Sequence, residues 1–466
     1  GSTSMPVSGT SSGPELLVHV DRGRPVPLHR QLADGLRDAI RAGRLAEGTR
    51  LPSSRVLAAD LGVSRRLVVE AYDQLTAEGF LLSRQGSGTR VAAVDGARAP
   101  AERHTVDPPP RYDVDFRPGT PDLGSFPRDA WLRALRLGLA RTPSEALGYV
   151  APQGVPATRA ALADYLRRTR GVQADPQHIV LTSGVTQAVA LLARVLADRP
   201  FATEDPGFWL HRMVLQHNGI EPVAAPVDEH GLDVAALAAC GAHVVLATPA
   251  HHSPTGVVLT AARRTALLDW ARAGHLVVED DYDAEYRYDR APVGALQGMA
   301  PDRVVYVGST SKTLAPGLRI GWMVLPTDLV GPVTVAKGLA DTGSPVMDQI
   351  ALAELLTSGG YDRHLRQMRR RYVSRRNALL RALGRNLPEA TVLGAAAGLH
   401  LTVLLPAGVP IDDVVRRAGA MRVRVEALAP CYHDPVAAPP GLILGYANLT
   451  ETQIGEGVRT LARAVR

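Results

Sequence analysis

Lysine is almost missing from this chain of 466 residues, which has two lysines, Lys312 and Lys337, among 52 basic side chains. Arginine replaces lysine in most electrostatic roles. It cannot form an imine, because its guanidinium stays protonated, whereas a lysine amine can lose its proton. A lysine retained in such a composition is therefore a candidate for imine chemistry, and a chance surface lysine is the alternative.

Cysteine is equally scarce, and long apolar runs are absent. Cys240 and Cys431 have neither the density of a disulfide scaffold nor the spacing of metal ligands, so we predict no metal site. No apolar run is long enough to cross a bilayer. The segment 1–4 (GSTS) before Met5 resembles an expression-tag remnant rather than a signal peptide. We expect a cytoplasmic protein with no membrane contact, in which residues 1–25 are this remnant and a flexible N-terminus.

The segment 93–112 is rich in alanine and proline and includes three consecutive prolines at 108–110, a composition that packs poorly. This composition predicts a linker. It separates a domain over 26–92 from a domain over 113–466. In the second domain, apolar runs at 178–182, 243–248, 276–279 and 304–308 alternate with amphipathic helices, a pattern that predicts an α/β fold with a mainly parallel sheet.

The segment 26–92 carries the order of elements found in DNA readers. Apolar spacing predicts helices at 28–40, 55–61 and 65–78, with Ser53 or Ser54 capping the second and Ser64 the third. A glycine turn at 62–64 joins the last two helices, and two short strands around a glycine-rich tip follow at 81–91. The net charge of +6 allows nucleic-acid binding, and arginines cluster at 50–66 and 84–90. The alternative interpretation of each arginine taken alone is a residue on a solvated helix face.

The runs 51–58 (LPSSRVLA), 61–65 (LGVSR) and 86–89 (GSGT) resemble the winged helix-turn-helix domain of the GntR family of regulators. The resemblance implies that a set of residues lies near double-stranded DNA. Arg65 is the candidate for a base-edge contact, and Arg55 and the wing would hold phosphate. The set comprises Ser53, Arg55, Ser64, Arg65, Arg66, Arg84, Gly86 and Gly88.

The surroundings of Lys312 match the needs of a pyridoxal phosphate site, which are an imine-forming lysine, an acid for the pyridine nitrogen, a phosphate cup and a ring cover. Asp280 and Tyr282 follow the apolar run 276–278, where the carboxyl end of a strand would place them at a ligand site. An acidic loop with a core tyrosine is the alternative. Val185 and Thr186 stand at a predicted helix start, which binds anions through backbone N–H groups.

Further candidates complete the cofactor set. Arg319 offers positive charge for the phosphate, and Ser309 and Ser311 offer hydroxyl donors. Phe208 follows a turn and could stack on the ring, although a core residue is the better interpretation of this phenylalanine taken alone.

These motifs occur in the order of the fold-type I aminotransferases, which the chain resembles from about residue 113 to its end. Ser311-Lys312 followed by 316–322 (PGLRIGW) is the most specific of them. Joined to a winged helix, the architecture resembles the MocR subfamily of transcription regulators. The resemblance implies a homodimer with pyridoxal 5'-phosphate bound covalently to Lys312 as a Schiff base. It also implies Asp280 at the ring nitrogen and Tyr282 at the ring hydroxyl.

Two positions depart from the aminotransferase pattern. The arginine that usually binds a substrate carboxylate corresponds to Ile443 in the stretch 442–446 (LILGY). Losing that charge-assisted contact removes about 1.5–3 kcal/mol of binding. Arg212 is a possible substitute. The stretch 251–256 (HHSPTG) places His252 and Ser253 where aminotransferases have an asparagine pattern, so His252 joins the cofactor candidates.

These observations predict a transcription regulator whose aminotransferase-like domain senses pyridoxal phosphate itself or an amine or amino acid through Lys312. A working aminotransferase fused to a DNA-binding module is the alternative. A repressor whose large domain has lost the cofactor and only dimerises is a third possibility. The missing carboxylate arginine favours the sensor over the enzyme, and slightly favours pyridoxal phosphate as the signal.

Overall fold

The computed structural model describes residues 18–84, 88–94 and 110–466. The chain divides into two compact units, Gly1–Pro109 and Pro110–Arg466. Most of the predicted linker, 95–109, lies outside the described residues. In the part of the chain that the structure describes, no helix is both long and apolar enough to span a membrane.

The first unit is a three-helix domain with a two-stranded wing. Its elements are α1 (Leu28–Arg41), α2 (Ser54–Leu61), α3 (Arg65–Ala77), β1 (Leu81–Arg84) and β2 (Gly88–Val91). Ser53 accepts a hydrogen bond from the Val56 amide and caps α2, and Ser64 accepts one from the Leu67 amide and caps α3. Gly62 between them has φ 63°, a left-handed conformation that glycine adopts freely. The helix-turn-helix prediction is confirmed.

A small apolar core holds these helices and the wing together. Leu32 and Leu36 of α1, Val68 and Leu75 of α3 and Leu81 of β1 are fully buried and belong to one cluster. The segment before α2 pairs with strand β2 of the wing. The Leu51 amide donates to the Thr89 carbonyl, and the Val91 amide donates to the Thr49 carbonyl. The wing is therefore attached to the rest of the unit by backbone hydrogen bonds as well as by the apolar core.

The second unit is an α/β domain. Its helices are α4 (Arg128–Arg141), α5 (Pro156–Arg170), α6 (Val185–Val195), α7 (Trp209–His217), α8 (Val234–Ala239), α9 (Ala261–Arg272), α10 (Thr327–Asp341), α11 (Val346–Thr357), α12 (Gly360–Asn386), α13 (Ile411–Ala420) and α14 (Glu451–Val465). Its strands are β3 (Val114–Asp115), β4 (Ile179–Thr182), β5 (Phe201–Asp205), β6 (Val223–Asp228), β7 (Gly231–Leu232), β8 (Val244–Ala247), β9 (Leu276–Asp280), β10 (Val304–Ser309), β11 (Gly321–Val324), β12 (Thr391–Leu393), β13 (His400–Leu404), β14 (Val423–Arg424), β15 (Glu426–Ala427) and β16 (Gly441–Gly445).

The central sheet has eight strands in the order β4-β11-β10-β9-β8-β5-β6-β7. The five strands from β10 to β6 run parallel, while β11 and β7 are antiparallel to their neighbours. The four predicted strands are β4, β8, β9 and β10, so the mainly parallel α/β fold is confirmed. Helix α6 begins at Val185, directly after Gly184.

A second sheet, β12-β13-β16-β15, stands apart from the first and packs with the long helix α12 and the C-terminal α14. Leu401 of β13, Leu444 of β16, Tyr372 of α12 and Val458 of α14 are buried in one cluster. Phe116 near the start of the unit is buried in the same cluster, so the chain after the linker is anchored against its own C-terminal part.

Candidate cofactor site and DNA-reading surface

Lys312 lies in the loop between β10 and β11, at the carboxyl end of the parallel strands. Its Nζ donates a hydrogen bond to the Gly119 carbonyl at 2.8 Å. Gly119 has φ +83°, a conformation that glycine adopts freely, and a Cβ there would lie 2.5 Å from Nζ and displace the amine. Burial lowers the pKa of the Lys312 amine, while Asp283 and Asp280 oppose that shift. An amine that loses its proton more readily is the better nucleophile.

Asp280 ends β9, flanked by β10 and β8, and is buried. The His211 ring Nε2 donates to its Oδ2 at 2.9 Å. Its other oxygen, Oδ1, is buried without a hydrogen-bond partner among the described residues. A buried carboxylate oxygen without a donor is costly, and a protonated pyridine nitrogen would satisfy it.

The predicted phosphate cup lies at the start of α6. Gly184 precedes the helix with φ 124°, and a Cβ on it would lie 2.6 Å from Nη2 of Arg319. Val185 and Thr186 form the first turn, where unpaired backbone N–H groups attract anions. The structure thus brings Arg319 to the helix start that the sequence singled out.

Lys337, the second lysine, is connected to this predicted phosphate cup through Gln187. It is fully buried, and its Nζ donates to Oε1 of Gln187 at 2.8 Å and to Oδ2 of Asp341 at 2.6 Å. Gln187 Oε1 also accepts from the Ser183 amide at 2.8 Å. The network ties α10 to the loop that leads into α6. Sequence reasoning missed it, because nothing in the local pattern pairs positions 150 residues apart.

The ring-hydroxyl side combines Tyr282 and His251, whose hydroxyl and Nδ1 are 3.1 Å apart. His252 points elsewhere: its Nδ1 contacts Thr255 Oγ1 at 2.6 Å and its Nε2 donates to the Pro206 carbonyl at 2.8 Å. Both ring nitrogens of His252 are thus engaged by the protein. His252 therefore has no free ring nitrogen for the cofactor contact that the sequence predicts. His251 is the histidine that contacts the Tyr282 hydroxyl.

The remaining cofactor candidates lie near the same strand ends. Ser309 is buried at the end of β10 and its Oγ accepts from the Ser311 amide at 3.3 Å. Phe208 precedes α7, and its ring meets the His211 ring edge-on at 5.1 Å. Phe208 therefore packs against the histidine that holds Asp280. Pyridoxal phosphate fits this set of residues, with Asp280 Oδ1 as the partner that it would satisfy.

The first departure from the aminotransferase pattern is an apolar residue at position 443, and its surroundings are apolar as well. Ile443 of β16 is buried with Leu428 and Cys431 in a small apolar cluster. The Arg212 guanidinium donates to the Pro430 carbonyl at 2.8 Å and is exposed. Arg212 has no acid partner among the described residues, and the carbonyl that it contacts adjoins Cys431, which shares the small apolar cluster with Ile443.

Replacing Asp280 by asparagine should weaken pyridoxal phosphate binding about ten- to a hundredfold, because a charge-assisted hydrogen bond to the ring nitrogen is worth about 1.5–3 kcal/mol. Absorbance titration of the full-length protein measures the affinity. Asp269→Asn, at an exposed acid of α9, is the control and should leave it unchanged. Equal affinities for the two variants would contradict the role of Asp280.

Glu204, at the penultimate position of β5, makes the stability of this unit depend on pH. Burial raises the pKa of Glu204 to about 8, although the Thr248 amide and hydroxyl donate to its Oε2. Below the ordinary glutamate pKa the proton is bound in both the folded and unfolded states. As the pH rises through the folded pKa, stability is progressively lost, because the charged form is disfavoured in the interior.

Glu204→Gln, which mimics the protonated acid, should therefore be more stable than the native chain by a margin that grows by about 1–4 kcal/mol between pH 5 and pH 9. Urea unfolding followed by tryptophan fluorescence measures it, because all four tryptophans lie in the second unit. A margin that shrinks with rising pH would contradict the sign of the effect.

The candidate DNA residues of the first unit lie on α2, α3 and the wing. Arg55, Arg65 and Arg66 are exposed. Arg65 Nε donates to Ser54 Oγ at 3.2 Å, and Arg66 pairs with Glu70 at 2.9 Å. The hydroxyls of Ser53 and Ser64 cap their helices, as described above. Gly88 begins β2, whereas Gly86 and the side chain of Arg84 lie outside the described residues.

Arg50 is a basic residue of this surface that sequence reasoning did not single out. A Cβ on Gly88 would lie 3.1 Å from its Nε, so the guanidinium sits beside the base of the wing. Residues 50 and 90 form an antiparallel bridge. The sequence shows Arg50 only as part of the arginine cluster at 50–66. That pattern does not indicate that Arg50 lies beside the wing.

A winged helix-turn-helix unit and a mainly parallel α/β unit with a lysine and an aspartate at its strand ends define a DNA-binding regulator with an aminotransferase-like domain. The chain matches the model of aminotransferase class I and II over residues 114–456 and that of the gntR family of bacterial regulatory proteins over residues 28–91. It belongs to both families and is a transcription regulator of the MocR type.

Relatives of the same architecture span nearly the whole chain. It is 34% identical to the probable rhizopine catabolism regulatory protein MocR of Rhizobium meliloti, over 96% of this chain and 95% of the relative. It is also 34% identical to the pyridoxine biosynthesis regulator PdxR of Corynebacterium glutamicum, over 94% and 96%. Among solved structures, α-aminoadipate aminotransferase LysN of Thermus thermophilus is similar with a TM-score of 0.69 and 28% identity, covering 76% of this chain and 92% of that one.

Proposed function

We propose that this regulator binds pyridoxal phosphate through Lys312 and uses the loaded domain to control DNA binding. When bound, the cofactor supplies an aldehyde that condenses with a primary amine. Lys312 would hold it covalently, Asp280 would hold the ring nitrogen, and the start of α6 with Arg319 would hold the phosphate. The observation that carries the proposal is Asp280 Oδ1, which is buried and has no hydrogen-bond donor among the described residues.

The signal is either pyridoxal phosphate itself or an amino compound that competes with Lys312. One relative is named for pyridoxine biosynthesis, which supports the first possibility. In either case the ligand must bind two states of the protein unequally in order to change its DNA affinity. A working transaminase is the competing function, and rapid conversion of bound cofactor to its pyridoxamine form by an amino donor would favour it.

A homodimer would place two winged helices on repeated half-sites. Exposed apolar side chains on the second unit support self-association. Leu339 of α10 is 86% exposed and Tyr149 is 96% exposed. Gly338 lies against Pro152, where a Cβ would be 3.1 Å from the proline ring, so the two exposed residues belong to neighbouring segments. Sedimentation equilibrium of the full chain measures the oligomeric state.

The function is tested with full-length protein and a DNA duplex selected by that protein from a random pool. We expect pyridoxal phosphate to change DNA affinity at fixed salt by about fivefold or more, the usual scale of coupling between two sites. Lys312→Arg should remove the change while leaving DNA binding in place. Identical DNA affinity with and without cofactor in the native protein would contradict the sensor.

Alanine substitutions of Arg65 and Arg55, at the starts of α3 and α2, should change DNA binding in different ways. Arg65→Ala should cost about 1–3 kcal/mol on the selected site and relax the base preference at one position. Arg55→Ala should weaken binding to all sequences alike and lower the salt dependence by about one counterion. Binding isotherms at several salt concentrations, on matched and mismatched duplexes, separate the two effects. Uniform weakening by Arg65→Ala would contradict its base-reading role.

A further inference from the structure

The chain before α1, residues 18–27, forms an arm that is fixed to the first unit. Val18 is buried in the core of this unit. Gln31 of α1 is buried as well, and its Oε1 accepts from the Asp21 amide at 2.8 Å. Gln31 Nε2 donates to the Asp21 carbonyl at 2.9 Å and to the Val26 carbonyl at 2.7 Å. The path of this N-terminal arm is therefore set by one buried valine and one buried glutamine.

The exposed part of the N-terminal arm reaches the helix-turn-helix. Arg22 Nη2 donates to the Gly62 carbonyl at 2.6 Å. Gly62 ends α2 and stands three residues before Arg65, the first residue of α3. Three residues of chain span at most about 11 Å, so the Arg22 guanidinium is held near the start of α3.

This is a position at which DNA phosphates are expected. In a helix-turn-helix the start of the second helix enters the major groove, which is about 12 Å wide and bordered by the two phosphate backbones. A guanidinium has five N–H donors, and the Gly62 carbonyl takes one of those of Arg22. Arg24 is also exposed, and its side chain has no hydrogen-bond or ion-pair partner among the described residues. Both arginines therefore retain donors that phosphate oxygens could accept.

A purely structural role explains only one of these two arginines. A cation beside the last carbonyls of a helix is stabilising, and Arg22 occupies such a place at the end of α2. Arg24 has no comparable contact. The acid between them and the core, Asp21, accepts from the Gly23 amide at 2.8 Å and forms an ion pair with neither arginine. The exposed part of the arm thus presents unneutralised positive charge beside the start of α3.

We propose that the N-terminal arm is a third DNA-contacting element, beside the helix-turn-helix and the wing, and that Arg22 and Arg24 bind phosphates irrespective of base sequence. Because Gln31 and Val18 already hold the arm, its backbone loses less conformational freedom on binding than a free tail would. The proposal goes beyond the proposed function, since it requires DNA binding but no cofactor.

Arg22→Ala and Arg24→Ala in the full-length protein test the proposal, with the cofactor held at one concentration. Binding to the selected duplex is measured between 50 and 200 mM salt. Each variant should reduce the slope of log affinity against log salt by about 0.9 in magnitude, so the ratio of native to variant affinity should shrink about three- to fourfold over this range. The loss should be equal on matched and mismatched duplexes, because phosphates carry no base identity.

Arg41→Ala is the charge-matched control in the same unit. The Arg41 Cζ lies 5.2 Å from the centroid of the Phe80 ring, which follows the end of α3. Helix α3 has 13 residues, so its end lies about 20 Å from the start that enters the groove. This variant should keep the native salt slope.

The outcomes separate DNA contact from helix capping. A native salt slope in either Arg22→Ala or Arg24→Ala would overturn the proposal, and weaker binding by Arg22→Ala at a native slope would assign Arg22 to capping α2 instead. A loss confined to the matched duplex would also overturn it. A native protein whose DNA affinity ignores the cofactor would contradict only the proposed function, so the two failures are distinguishable.

Discussion

Lys312→Arg should abolish covalent binding of pyridoxal phosphate while keeping the positive charge. The guanidinium cannot form an imine, so the visible band of the protein-bound cofactor should be absent and the cofactor should be lost on dialysis. The measurement is an absorbance spectrum before and after dialysis. Borohydride reduction followed by peptide mapping should place the cofactor on the peptide containing residue 312 in the native chain and on no lysine in the variant.

Lys337→Met is the matched control, since it removes the only other lysine. It breaks the contacts to Gln187 and Asp341 and should weaken phosphate binding, but the visible band should still form at high cofactor concentration. A band that survives in Lys312→Arg and disappears in Lys337→Met would reverse the roles of the two lysines.

Arg170→Met should destabilise the second unit by about 3–5 kcal/mol, because it leaves the buried Asp281 carboxylate without its cation. Arg170 and Asp281 side chains are 2% and 1% exposed, with Nε and Oδ2 2.6 Å apart. Tyr306 donates to the same oxygen at 2.6 Å. Since Asp281 follows Asp280, the same variant should also weaken cofactor binding. Urea unfolding followed by tryptophan fluorescence measures the stability.

Arg168→Met is the control on the same helix. Arg168 pairs with Asp362 at 3.0 Å, but its side chain is 56% exposed, and pairs of this kind contribute about 0.2–1 kcal/mol. The double variant Arg170→Met with Asp281→Leu should recover much of the lost stability, because removing both charges leaves no unpaired one. A double variant no more stable than Arg170→Met would show that packing, rather than the unpaired charge, accounts for the loss.

The parts of the fold that depend on local signals were predictable from the sequence. Ser53 and Ser64 cap their helices and Gly62 turns between them, all within a few residues of the elements they define. Strand β9 was visible as an apolar run ending in acids, and Asp280 is its last residue. The helix-turn-helix and the α/β fold needed only these short-range patterns.

The parts of the site that depend on distant contacts were not predictable in the same way. His211 holds Asp280 from 69 positions away, and Gly119 receives the Lys312 amine from 193 positions away. A histidine or a glycine alone carries no signal for such a partner. His252 shows the same limit in reverse: it stands beside His251 in the sequence, yet the two rings have different partners, because adjacent residues in a loop can point in different directions.

The burial of Lys337 makes the two lysines of this chain unequal toward amine-directed reagents. Its Nζ lies in a side chain with no exposed surface, whereas Lys312 is only partly covered. Of the two lysine side chains, Lys312 is therefore the one that an acylating reagent reaches more readily in the folded protein. Protection of that amine against the reagent would count occupied cofactor sites directly, without a spectrum, a substrate or a DNA target.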